Sequence, residues 1–194
     1  MAVLRHGEIV KVKYDRIDDL RRDLMELAKS EILVGFPDET ATRTEEDGEK
    51  SPMTNAAIAY VQDNGAPEQN IPARPFMIPG IKSAQDRITD ALGNLAKRTI
   101  RGGTMSVAQG LARVGSIAEL AIKKKINEGI PPPLAESTLQ DRARRGRKGA
   151  KLELANRAAG EAASTEFAKP LVDTAQMRNA VKYVIRPRKQ RKSK

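Results

Sequence analysis

Cysteine is missing from all 194 residues of the chain, which excludes disulfide staples, thiolate metal ligands and thiol nucleophiles. Tryptophan is missing too, and tyrosine and phenylalanine number three each. A core must therefore be assembled mainly from Leu, Ile, Val, Ala and Met. His6 is the single histidine, so a catalytic triad or a histidine metal site lacks the partners it would need. No run of about 18 apolar residues occurs, the length a membrane helix requires. The opening MAVLRHGEIVKVKY carries no apolar signal-type stretch. The expectation is a soluble chain made in the cytosol, with no membrane partner.

What is present is charge. The hydrophobic fraction is 39% and the charged fraction 31%, respectively below and above the globular norm. A small core with polar projections follows, of the kind that completes its burial in an oligomer. The net charge of +10 is segregated. Residues 37–50 hold six acids against Arg43 and Lys50; residues 141–151 hold six bases against Asp141; residues 186–194 hold six bases and no acid. Such runs suit nucleic acid, an acidic protein surface, or opposite signs meeting between copies of one chain.

Periodicity supplies the elements. Asp15 can cap a helix whose Ile17, Leu20, Leu24 and Leu27 share one face. EILVGF at 31–36 reads as a strand ended by Pro37. Residues 37–50 read as an acidic loop too poor in apolar groups to pack. Ser51-Pro52 reads as a cap and first turn of a helix through Val61, stopped by Gly65. Ile81, Ile88, Leu92 and Leu95 mark the next helix, broken at Gly102-Gly103. Thr104 can cap a long one with Val107, Leu111, Val114, Ala118, Ala121 and Ile122 on its stripe, ending at Gly129. Pro131-Pro132-Pro133 enforces extended chain. Ser137 is a cap for a short helix, 151–167 reads as helix, and Asp173 as the cap of a short helix through Met177. AVKYVIRP at 180–187 reads as a strand able to pair with 31–36. The predicted class is α+β: a small antiparallel sheet flanked by several helices, with one long amphipathic helix and extended loops, and no internal repeat.

Catalytic motifs do not emerge. The carboxylates of DETATRTEEDGEK lack the ligand order of an EF-hand loop. RGGT at 101–104 lacks the spacing and Lys-Ser/Thr ending of a phosphate-binding loop. No cofactor or metal is expected. The runs DRARRGRKGAK and RPRKQRKSK could neutralise phosphates, but no aromatic is interleaved to stack on bases. Solvated tails, an acidic protein partner and DNA all remain open for them.

Three segments carry a resemblance: AAIAYVQDNGAPEQNIPARPFMIPGI at 56–81, IPPPLAESTL at 130–139 and KPLVDTAQMRNAVKYVI at 169–185, with LVGFPDE at 33–39 ahead of them. In this order they resemble the tail-completion or neck proteins of tailed bacteriophages, including related virion morphogenesis proteins. The likeness spans about residues 31–185, with some 50 of them carrying it strongly. DTAQM at 173–177 departs from the family's DTGQL, placing Ala175 where a glycine is usual. That departure is tolerable if the backbone there is helical. Residues 141–168 exceed the family's connection and read as an added basic, helical excursion.

The resemblance implies a single α+β domain over 1–185 with a basic tail at 186–194, located at the neck or tail of a virion. It implies a homo-oligomeric ring, commonly a hexamer, between head–tail connector or adaptor proteins and tail terminator or tail tube proteins. Such a subunit has no catalytic residues; non-specific contact with packaged DNA is a further partner to test. Candidate assembly-interface residues are Arg74, Phe76 and Met77 in the proline loop, Arg144, Arg145, Arg147 and Lys148 in the excursion, and Arg188, Lys189, Arg191 and Lys192 in the tail. Phe76 could seal the subunit's own core or an intersubunit surface. Arg74 is expected to be the more exposed, pairing with a carboxylate or reaching a neighbour. A basic nucleic-acid-binding accessory protein is the alternative function.

Overall fold

The computed structural model describes residues 16–40, 42–44, 48–102 and 105–188, and the backbone of 2–5 and 8–11. In chain order the elements are β1 (Ala2–Arg5), β2 (Glu8–Lys11), α1 (Ile17–Lys29), β3 (Ser30–Gly35), α2 (Asn55–Asn64), α3 (Met77–Lys82), α4 (Gln85–Arg101), α5 (Val107–Asn127), α6 (Glu136–Arg144), α7 (Lys148–Ala158), α8 (Gln176–Ala180) and β4 (Lys182–Pro187). Strands β1 and β2 form an antiparallel hairpin, to which the sequence reading assigns nothing. Strands β3 and β4 pair antiparallel in the register Leu33↔Val184, as the alternation in both segments predicts. The α+β class holds: helices flank a small antiparallel sheet.

Helix α5 is the axis. Ser106 accepts from the Gln109 amide while the Gln109 side chain accepts from the Ser106 amide, a reciprocal cap satisfying two end donors. Val107, Leu111, Val114, Ala118, Ala121 and Ile122 are buried along one stripe. Gly115 leaves room for the Tyr183 ring to lie on the helix; a Cβ there would collide with it. Glu119 then fixes the start of β4, accepting from the Tyr183 amide at 3.2 Å and from Lys123 at 2.5 Å. The inner face of the sheet, Ile32, Val34, Tyr183 and Ile185, is half-buried. Ile32 and Ile185 pack with Leu95, Val107 and Leu111.

The main core holds Phe76, Ile122, Ile126, Met177 and Val181. A separate small one holds Leu134, Leu139, Ala150 and Ala168 under α6 and α7. Glu153, 1% exposed, draws the loop after α7 onto it by accepting from the Ser164 amide and hydroxyl and from Arg157. That capture, with Gly160 at φ 90°, explains why α7 stops at Ala158 although 151–167 is rich in helix formers.

Several predicted caps move. Arg16 sits at the cap of α1, and Asp15 lies outside the described residues. Thr54, not Ser51, caps α2, accepting from the Ala57 amide at 3.1 Å. The predicted helix through Ile81 and Leu95 is two helices, α3 and α4, with Ala84 at the cap of the second. Gly102 (φ 72°) does end α4, whereas Gly103 and Thr104 lie outside the described residues. Ala135 rather than Ser137 precedes α6. Asp173 caps nothing; Ala175 occupies the cap of α8 with φ 61° and ψ 2°.

The acidic loop is also corrected in part. Its described residues are pinned by polar bonds where apolar groups are lacking. Asn55, 3% exposed, donates to the Thr40 and Thr42 carbonyls, both at 3.0 Å. Thr40 donates to the Ala180 carbonyl at 2.8 Å, and Thr44 exchanges two hydrogen bonds with the Gln176 side chain.

Candidate assembly surfaces

The proline loop is an internal junction. Gly65 (φ 81°) ends α2 and lets the chain double back so closely that a Cβ would lie 2.7 Å from the Ala73 nitrogen. The Arg74 amide then donates to the Gln62 carbonyl at 2.8 Å. One carboxylate oxygen of Asp63 accepts from the amides of Phe76 (2.7 Å) and Met77 (3.0 Å), so α2 supplies the anion that caps α3. Phe76 has no exposed surface and belongs to the main core, where its burial stabilises by about 1.5–3 kcal/mol. Met77 is half-buried against the same cluster.

Arg74 corrects the expectation of exposure. It is 5% exposed and donates through Nε and Nη2 to the Pro132 carbonyl, at 3.2 and 2.9 Å. Burial lowers its pKa from the usual guanidinium value. The physical reason is a partner distant in sequence: where the proline run bends at residues 131–132, the Pro132 carbonyl accepts both arms of the guanidinium fork.

The basic excursion is largely turned on itself. Arg142 is buried and donates to three carbonyls, of Lys169, Pro170 and Val172, at 2.9–3.0 Å. Asp173 lies against it and takes Arg145 at 2.8 Å and Arg147 at 2.9 Å. Burial alone would raise the Asp173 pKa, but hydrogen bonds from Arg147 and Arg145 and the Arg142 charge hold it below the usual carboxylate range. Arg144 is exposed and pairs with Asp141. Lys148 is exposed at the start of α7. Of the tail, Arg188 is exposed with its amide on the Lys29 carbonyl; Lys189, Arg191 and Lys192 lie outside the described residues.

What sequence reasoning missed is the outer face of the sheet. Leu33 and Val184 sit opposite each other there and are 40% and 38% exposed. Around them stand both signs of charge: Glu31 paired with Arg186 at 2.7 Å, exposed Lys182, and Asp38 and Glu39 just beyond the strand. Leu33, Val184, Lys182, Arg186, Asp38 and Glu39 border an open cleft of about 340 Å³. The signal was legible: in both strands the residues between the core-facing positions include an aliphatic one where a solvated face needs polar groups. Among the described residues no third strand joins this sheet, no helix is long and apolar enough to cross a membrane, and no three His, Cys, Asp or Glu side chains gather as a metal site.

Comparison with models of known protein families, with curated proteins and with solved structures found no match to this chain.

Proposed function

We propose that the chain is a structural subunit of the neck or tail of a tailed bacteriophage, completing the tail or joining it to the head as a ring-forming homo-oligomer, with a hexamer favoured. The ordered motifs at 56–81, 130–139 and 169–185 bring the family to mind, and one observation carries the assembly role: the uncovered strip of Leu33 and Val184. A two-stranded sheet is marginal by itself, and here one face rests on α5 while the other keeps two aliphatic side chains in water. A rim bearing both acids and bases can find opposite charges on another copy of the chain, so the cover we assign is a different surface of a second copy, in a head-to-tail contact that closes into a ring. The role is geometric and uses no catalytic residue. Connector and tail proteins would meet the two faces of such a ring.

Light scattering on the eluting protein, with electron microscopy of the peak, tests this alone and after mixing with neck and tail proteins. The full chain should give closed multimers, and Leu33→Glu with Val184→Lys should give monomers of unchanged melting temperature. A strictly monomeric protein that ignores neck and tail proteins overturns the proposal. The net charge of +10 favours one other reading, a nucleic-acid-binding accessory protein. Tight, steeply salt-dependent binding of DNA by that monomer would establish it instead.

A further inference from the structure

A second surface lies between α4 and α5, away from the sheet's outer face. Arg87, Asp90, Ala91, Asn94, Leu95 and Arg98 recur at helical spacing along one side of α4 and line a cleft of about 450 Å³. Across it α5 presents Gly110, Arg113 and Ile117. Gly110 makes the floor: Leu95 fills the space a side chain would take, bringing the helices together beneath the opening. The floor is apolar, and three exposed arginines stand on its rim against one acid, Asp90.

These arginines differ from the arginines that the fold ties to carboxylates. Arg142, Arg145, Arg147, Arg157 and Arg186 each meet a carboxylate. Arg87, Arg98 and Arg113 meet none among the described residues. Three unneutralised guanidinium groups around one cleft favour an anionic occupant, and the planar fork suits carboxylates bidentately. Leu95, Ala91 and Ile117 beneath them favour an occupant that also buries aliphatic side chains, as an extended or helical peptide does and a phosphate backbone does not. No aromatic side chain lines the cleft for base stacking.

We infer that the α4–α5 cleft is a docking site for an acidic peptide segment of a partner protein, one carrying aliphatic residues among its carboxylates. Arg87, Arg98 and Arg113 receive the carboxylates, and the floor around Leu95 and Ile117 receives the aliphatic groups. The inference stands apart from the sheet-face contact and holds whether or not the chain forms rings.

The probe is a fluorescein-labelled glutamate-rich peptide with spaced leucines, titrated with the full chain and followed by anisotropy. Arg98→Gln should weaken binding about tenfold, the loss of one charge-assisted bond. The triple Arg87→Glu, Arg98→Glu, Arg113→Glu should abolish it. The triple Lys82→Glu, Lys124→Glu, Lys151→Glu changes the net charge equally at exposed positions elsewhere and should leave binding within about twofold at physiological salt. Replacing leucine by serine in the peptide should weaken it further. Circular dichroism confirms the fold of each variant, and Arg98→Gln serves if the triple does not fold. Absence of peptide binding, equal loss in the two triples, or loss of binding to a random-sequence DNA duplex without loss of peptide binding each overturns the inference.

Discussion

Replacing Asp63 by alanine tests whether the proline loop is an internal junction. The carboxylate accepts two amides through one oxygen, at 2.7 Å from Phe76 and 3.0 Å from Met77. Phe76 is completely buried, so its amide has no easy route to water once the acceptor is gone. An orphaned buried donor costs about 1–3 kcal/mol and a lost helix cap about 1 kcal/mol. The two overlap here, because one oxygen serves both roles, and the joint loss is about 2 kcal/mol. For a chain of this size that lowers the melting temperature by about 4–8 °C. Asp63→Asn keeps an acceptor oxygen and loses only the charge, so its loss should be less than about half as large. Calorimetry on wild type and both variants reads these values directly. A melting temperature for Asp63→Ala within about 1 °C of wild type, or an equal loss in Asp63→Asn, would refute the reasoning that geometry at this oxygen holds α3 in place.

Two further perturbations address other parts of the fold. Ala175→Gly relieves a left-handed backbone that costs about 1–2 kcal/mol, against about 0.4–1 kcal/mol of added unfolded-chain entropy. The expected result is a rise in melting temperature of about 1–3 °C, and a fall counts against it. Asp173→Asn removes the partner of Arg145 and Arg147 and leaves the buried Arg142 without its nearby carboxylate. It should cost about 2 kcal/mol at neutral pH. Because the folded carboxylate is held below its usual range, its contribution is complete above the unfolded value and is lost as pH falls through the folded one. Urea unfolding should therefore show wild type and Asp173→Asn converging in acid below about pH 4.

The sequence was most legible where periodicity and burial coincide. The stripe of α5 and the pairing of 31–36 with 180–187 were both readable, because each segment has one face that must be covered. Stops at Gly65 and Gly102 were readable because each residue takes a positive φ. Caps were less readable. Ser51, Ser137 and Asp173 all have capping chemistry, yet the caps fell at Thr54, Ala135 and Ala175. A cap is decided by which residue leaves the helix first, and long-range partners decide that. Asp173 is withdrawn by Arg145 and Arg147, which no local pattern announces. Ala175 makes the same point from the other side: its backbone is left-handed rather than helical, so this geometry favours a glycine, the residue usual there in the phage proteins that the sequence resembles.

Net charge misled about location for a related reason. The run at 141–151 looks like the strongest cationic surface in the chain, but Arg142, Arg145 and Arg147 converge on Asp173 and on carbonyls of 169–172. Three of the run's six bases are thereby engaged in holding the fold. Arg87, Arg98 and Arg113 lie in no run and attract no notice in sequence, yet they stand exposed on one cleft. A contiguous run must be solvated or neutralised nearby, because like charges repel at short range. Charges spaced by helical turns escape that pressure and can be left facing a partner. To an acidic neighbour the α4–α5 cleft thus offers three arginines with no carboxylate partner among the described residues, whereas Arg142, Arg145 and Arg147 of the densest basic segment already share Asp173.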